Sequence, residues 1–173
     1  MALSSLGIFH TVIGIAAIVA AITSYVKYGK INLVQLSGKI YAYGTVITSL
    51  TALGISKHGG FNAGHVFSIF ILILVVAALF VNVKKKGNNG NRYIENFLLS
   101  FSFFLSWVPT VNETFTRVPL KHPLAASPAD PIIAKTLLVL LVLFIAGSVV
   151  QFLNQRKINK VVYLNTKKES SFK

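Results

Sequence analysis

The sequence predicts an all-α protein, a polytopic transmembrane helix bundle with five spans, N-terminus outside and C-terminus inside. Three observations predict it. Hydrophobic residues make up 54% of the 173 and charged residues only 12%, about half the charge of a soluble domain. Five apolar runs approach the roughly 20 residues that cross a bilayer core as a helix. The lysines and arginines fall between those runs or at their ends, and mostly on alternate connections, as the bias of positive charge toward the cytoplasm requires.

The first run, residues 6–26, holds no charged residue. No basic segment precedes it, so it reads as a retained helix and not as a cleaved signal. Gly7, His10, Gly14, Ala17, Ala21 and Ser24 recur along it at spacings of three and four. A short basic connection, 27–37, leads to the second run, 38–56, where Gly38, Ala42, Thr45, Ser49, Ala52 and Ser56 repeat the pattern. Seams of small residues let helix backbones approach closely in lipid, where van der Waals contact replaces the hydrophobic drive. Both seams are therefore expected inside the bundle.

Lys57-His58-Gly59-Gly60 reads as a tight turn that makes helices two and three an antiparallel hairpin. The third run, 61–83, is the most apolar. The loop from Lys84 to Arg92 is basic and rich in Asn and Gly, and the fourth run, 93–111, is rich in Phe and holds the only Trp. Pro109 removes one backbone donor there and is expected to bend the outer end of this helix. Residues 112–131 form the longest connection, with four of the five prolines. The fifth run, 132–151, is dominated by Leu, Val and Ile, and the basic tail 152–173 is expected in the cytoplasm, fraying over 167–173.

The charge count orients the chain. Thirteen Lys and Arg fall on the side of the first loop, the third loop and the tail, against four (Lys57, Arg117, Lys121 and Lys135) on the other. The two sides alternate in this way with five spans. All 173 residues belong to one domain.

Composition removes several chemistries. The absence of cysteine excludes disulfides, thiol nucleophiles and Cys-ligated metal or iron–sulfur sites. The net charge of +13 is spread between apolar runs and forms no patch with aromatic platforms, so it indicates anionic lipid headgroups and no nucleic acid. There is no phosphate-binding loop and no His-Glu-x-x-His pattern, and the only aspartate, Asp130, lies in the proline-rich loop.

The remaining candidates gather at the predicted outer side. His10 and His65 lie about 6 Å below the outer ends of helices one and three, from a rise of 1.5 Å per residue. Glu113 and Arg117 stand four residues apart at the outer end of helix four and pair if that helix continues. His122 lies in the long loop, His58 in the tight turn, and Lys135 near the start of helix five. Ionisable groups in a span are costly and often functional. His10 and His65 with Glu113 are a candidate set for a divalent metal, and two histidines at equal depth are candidate axial ligands of one haem b. Each histidine also has a purely structural reading, as a hydrogen-bond partner of a neighbouring backbone, and Glu113–Arg117 as a clamp.

His10 followed by Gly14, Gly38-Lys39-Ile40-Tyr41 opening helix two, and Gly59-Gly60-Phe61-Asn62-Ala63-Gly64-His65 opening helix three resemble the bacterial predicted membrane proteins grouped as domain of unknown function 2306. The resemblance covers roughly the first half of the chain. It implies a multi-pass protein of the bacterial inner membrane, lends weight to His10 and His65, and implies no reaction. Gln35-Leu36-Ser37 and Asn91-Arg92 stand where that family often has further histidines.

The expected function is binding without catalysis: a small ligand, a lipid or a membrane-protein partner held at the outer face by His10, His65 and Glu113, with Arg117 and His122 nearby. One alternative is a single-haem b-type or quinone-linked redox protein with His10 and His65 as ligands. Another is a metal-dependent membrane enzyme with Glu113 as ligand or base.

Overall fold

The structure, a computed structural model, describes residues 4–55, 60–84, 89–119 and 122–170, with backbone alone for 165–170. Five helices follow in order: α1 (Ser5–Tyr28), α2 (Leu36–Ala52), α3 (Ala63–Val83), α4 (Asn89–Arg117) and α5 (Pro131–Ser170). No strand occurs among the described residues. Each helix packs on the next in sequence. α4 is central, because Tyr25 of α1 and Tyr41 of α2 also reach it through Ser100 and Ser102.

α1 begins at the Ser4 cap, whose hydroxyl accepts from the Gly7 amide, and stops at Gly29, which adopts φ 67° while its N–H bonds the Tyr25 carbonyl. The connection to α2 folds back into the core. The Ser24 hydroxyl donates to the Lys30 carbonyl and accepts from the Asn32 amide, both at 2.9 Å. Ile31 and Leu33 are buried beside it. Gly38 allows this return: a Cβ there would lie 2.1 Å from the Asn32 carbonyl oxygen.

The seams face inward as expected. Ala17, Ala21 and Ser24 on α1 are buried, as are Gly38, Ala42, Thr45 and Ser49 on α2. Gly44, outside the predicted seam, makes a close approach to α1, with its missing Cβ 3.1 Å from the Ala17 Cβ. Ile71, Leu74, Val75 and Ala78 of α3 and Leu99 and Leu105 of α4 complete the core. A second small cluster, Val111, Ala125 and Ile133, ties the loop after α4 to the start of α5.

Among the described residues, four helices are long and apolar enough to cross a membrane: α1, α3, α4 and α5. α2 has 17 residues where the sequence predicted 38–56, because Leu53 and Gly54 turn out of the helix. The turn predicted at Lys57–Gly60 has residues 57–59 outside the described residues. α4 runs beyond its predicted 93–111 at both ends, and Pro109 sits inside it with the helix continuing to Arg117. α5 runs 40 residues where 132–151 was predicted, so residues 152–170 continue the helix. The only aspartate starts it: Asp130 Oδ1 accepts from the Ile132 amide at 3.1 Å, ahead of a proline at the first helical position, where its missing N–H is no loss.

Large apolar side chains cover the outside, among them Val12, Val19, Val26, Val76, Leu143 and Val162. Only 6% of the apolar window of α5 is buried within the chain. Such a surface is at odds with water and matches the lipid-facing sides of a multi-pass membrane protein.

Candidate functional site

Each sequence-predicted site residue has a local role. His10 is half-buried on α1, and its Nδ1 lies 3.1 Å from both the Thr48 carbonyl oxygen and the Thr51 hydroxyl on α2. A carbonyl only accepts, so the His10 Nδ1 carries the proton. His65 is buried at the third position of α3, within a capping box. The Asn62 side chain accepts from the Gly64 and His65 amides, and the Asn62 amide donates back to His65 Nδ1 at 3.1 Å. In the neutral ring this places the proton on His65 Nε2, a buried donor with no partner among the described residues.

Those two tautomers do not fit one haem. Both Nδ1 atoms are held by the fold, so iron would have to take both Nε2 lone pairs, and His65 presents a proton there instead. Glu113 and Arg117 form their ion pair across one turn of α4, both substantially exposed. His122 and Lys135 are exposed, and His58 lies outside the described residues. No hydrogen bond or ion pair joins His10, His65 and the Glu113–Arg117 pair to one another among the described residues. No three His, Asp or Glu among those residues are grouped to hold a metal ion.

The densest polar site lies elsewhere, in the half of the bundle where α4 begins, and sequence reasoning missed it. Ser100 of α4 is its centre. Its hydroxyl accepts from the Tyr25 hydroxyl at 2.9 Å and faces two acceptors, the Asn96 carbonyl at 2.7 Å and Gln151 Oε1 of α5 at 2.9 Å. One turn away Asn96 Nδ2 reaches Gln155 Oε1 at 3.4 Å, and Gln155 Nε2 donates to Asn159 Oδ1 at 2.8 Å. Asn82 of α3 donates to the buried carboxylate of Glu95 at 2.9 Å. The signal was present in the sequence. Asn96 and Ser100 are four residues apart, as are Gln151 and Gln155, so each pair shares one helix face. Gln151 reads as the end of a span only if amides are assumed to meet water; here it meets Ser100.

Three members of this network, Tyr25, Ser100 and Gln151, floor a cleft of about 300 Å³ between α1, α4 and α5. Ile22 and Tyr25 form one wall, Leu143, Phe144, Gly147 and Ser148 the other, and Ser100, Phe103, Phe104 and Trp107 the back. α1 and α5 do not pack extensively on each other, and the exposed side chains of Ile22 and Leu143 border the cleft, which is thus open to the apolar surface. A second hollow between α4 and α5, of similar volume, shares Ser148 and Gln151 and is lined also by Tyr93, Asn96, Phe97 and Phe152. No charged side chain lines either one among the described residues. Mostly apolar walls with a few converging polar groups are the usual make-up of a small-molecule site.

The fold and site are those of a helical bundle with four candidate membrane-spanning helices among the described residues and a mostly apolar cleft between α1, α4 and α5. The chain matches no protein-family model, and comparison with curated proteins and with solved structures finds no match.

Proposed function

We propose that this protein crosses the bilayer five times, N-terminus outside and C-terminus inside, and binds an amphipathic molecule from the lipid phase without transforming it. The cleft between α1, α4 and α5 is the binding site. The observation that carries the reading is the cleft itself: an aromatic and aliphatic slot, open toward the apolar outer surface, with Tyr25, Ser100 and Gln151 hydrogen-bonded along its floor. Hydroxyl and amide groups of this kind hold a polar group in place, whereas acid–base work calls for a group whose pKa lies near the working pH.

Five crossings are favoured by the path of α2. Ser24 binds the start of the α1–α2 return, and His10 binds Thr48 and Thr51 near its end. α2 therefore runs back along α1 by the 14 residues between Ser24 and His10, about 21 Å at 1.5 Å per residue. The count of thirteen cationic residues against four orients the bundle. On this reading the outer residues His10, His65, Glu113 and Arg117 brace helix ends. A cell membrane, the bacterial inner membrane by the resemblance in the first half, is its setting.

Native mass spectrometry of the full chain, released from its own membrane in mild detergent, tests the binding. The wild type is expected to carry a non-covalent adduct of lipid-like mass. Gly147→Leu fills the cleft and is expected to lose it, since a Cβ at Gly147 meets nothing within 4 Å. A wild type with no adduct, or a Gly147→Leu variant that keeps it, contradicts the reading.

A further inference from the structure

We infer that the ligand of the cleft is an uncharged lipid whose polar end is a free hydroxyl, a long-chain alcohol or a diacylglycerol in chemical class. This rests on the cleft being a binding site and goes on to say what fills it.

Two buried atoms next to the cleft lack hydrogen-bond partners among the described residues. Asn96 is only 6% exposed, and its Oδ1 accepts nothing. Ser148 Oγ is likewise buried and unbonded. Both residues line the hollow beside Gln151, and Ser148 and Gln151 line the main cleft as well. An unmet carbonyl oxygen in apolar surroundings is costly, so native proteins rarely leave one. Turning the Asn96 amide over is no remedy. Its Nδ2 donates to Gln155 Oε1, and Gln155 in turn donates to Asn159, so reversing Asn96 alone brings two carbonyl oxygens together.

A hydroxyl answers both atoms at once. Both atoms lie beneath the lining of the hollow; with a small turn of the two side chains toward it, the hydroxyl's proton goes to Asn96 Oδ1 and its oxygen accepts from the Ser148 hydroxyl. An ether or ketone offers no proton and leaves Asn96 Oδ1 unmet. A phosphate or carboxylate would sit unpaired, because no charged side chain lines the cleft or the hollow among the described residues, and an unpaired charge in an apolar site is strongly disfavoured. Anionic headgroups have better partners in the lysines of the loops and tail. The ligand's chain is accommodated by Phe103, Phe104 and Leu143 and by the open space over Gly147.

Three probes sharing one diazirine-bearing alkyl chain test this: the free alcohol, its methyl ether and its phosphate monoester. They are photo-crosslinked to the full chain in phosphatidylcholine nanodiscs, and labelled α4 and α5 peptides are quantified. The alcohol is expected to label these peptides about ten-fold more than the ether or the phosphate, the scale of one well-placed hydrogen bond. Asn96→Leu and the milder Ser148→Ala, each checked for unchanged helicity and elution, are expected to reduce the alcohol to the level of the ether. Equal labelling by alcohol and ether, both blocked by Gly147→Leu, overturns the hydroxyl and leaves the cleft as a site. Preferential labelling by the phosphate overturns the inference too. No labelling of these peptides by any probe, as when only water enters, overturns both the inference and the binding reading.

Discussion

Asn62 holds the first turn of α3 from both directions, accepting from the Gly64 and His65 amides while its own amide donates to His65 Nδ1. Losing the Asn62 side chain leaves amides unmet at the start of a helix, so Asn62→Ala is expected to lower unfolding free energy by about 1 kcal/mol. Glu113→Gln is expected to cost less than that, because exposed ion pairs are worth about 0–1 kcal/mol and Glu113 is half-exposed. Unfolding in a titration of denaturing detergent compares the two; a larger effect at Glu113 would show that its partner pairing is not the surface interaction described. Both histidines stood out in the sequence as ionisable groups near a span, yet what binds them is local backbone and hydroxyl. The neighbours of His10 across the helices, Thr48 and Thr51, are unremarkable in sequence, and only the crossing of α1 and α2 brings them to it. Asn96, Ser100 and Gln151 were hidden for the opposite reason: each is uncharged and ordinary alone, and acquires meaning only from the residue facing it.

At the scale of helices, α5 depends on α4 more than on any other element. Phe144 is the aromatic anchor, with ring centroids 6.1, 5.6 and 5.3 Å from Phe97, Phe101 and Phe104. Aromatic pairs contribute about 0.5–1.5 kcal/mol each and are not additive within one cluster. Phe144→Ala is accordingly expected to weaken the fold by about 2 kcal/mol in the same detergent titration. A shift too small to measure would mean that the polar bonds of Ser100 and Asn96 hold α5 by themselves. The existence of all five helices was legible from runs of apolar residues, and the inward faces of α1 and α2 from the spacing of Ala17, Ala21, Ala42 and Ser49; that these two faces meet each other was not. Helix ends were not. Hydropathy marks where lipid ends, whereas a helix ends where its backbone loses partners. α5 therefore continues past Gln151 through polar residues, and α2 stops at Ala52 within an apolar stretch.

For the whole molecule, the all-helical class and the long apolar helices were legible in composition and apolar runs, and the many exposed apolar side chains are compatible with a lipid setting. The side each loop occupies rests on lysine counts, and the number of crossings turns on α2. Its 17 residues span about 26 Å against a hydrocarbon core of about 30 Å. The cleft faces lipid in the manner proposed when α1, α4 and α5 all cross and α2 completes the return beside α1. The chain contains no cysteine, so single cysteines report position without background. The most direct measurement is therefore labelling of intact cells with a membrane-impermeant maleimide at Ala2→Cys and, separately, Lys160→Cys. Five crossings predict reaction at position 2 in intact cells and at position 160 only after permeabilisation. Reaction of both positions from the same side would mean an even number of crossings and contradict the account.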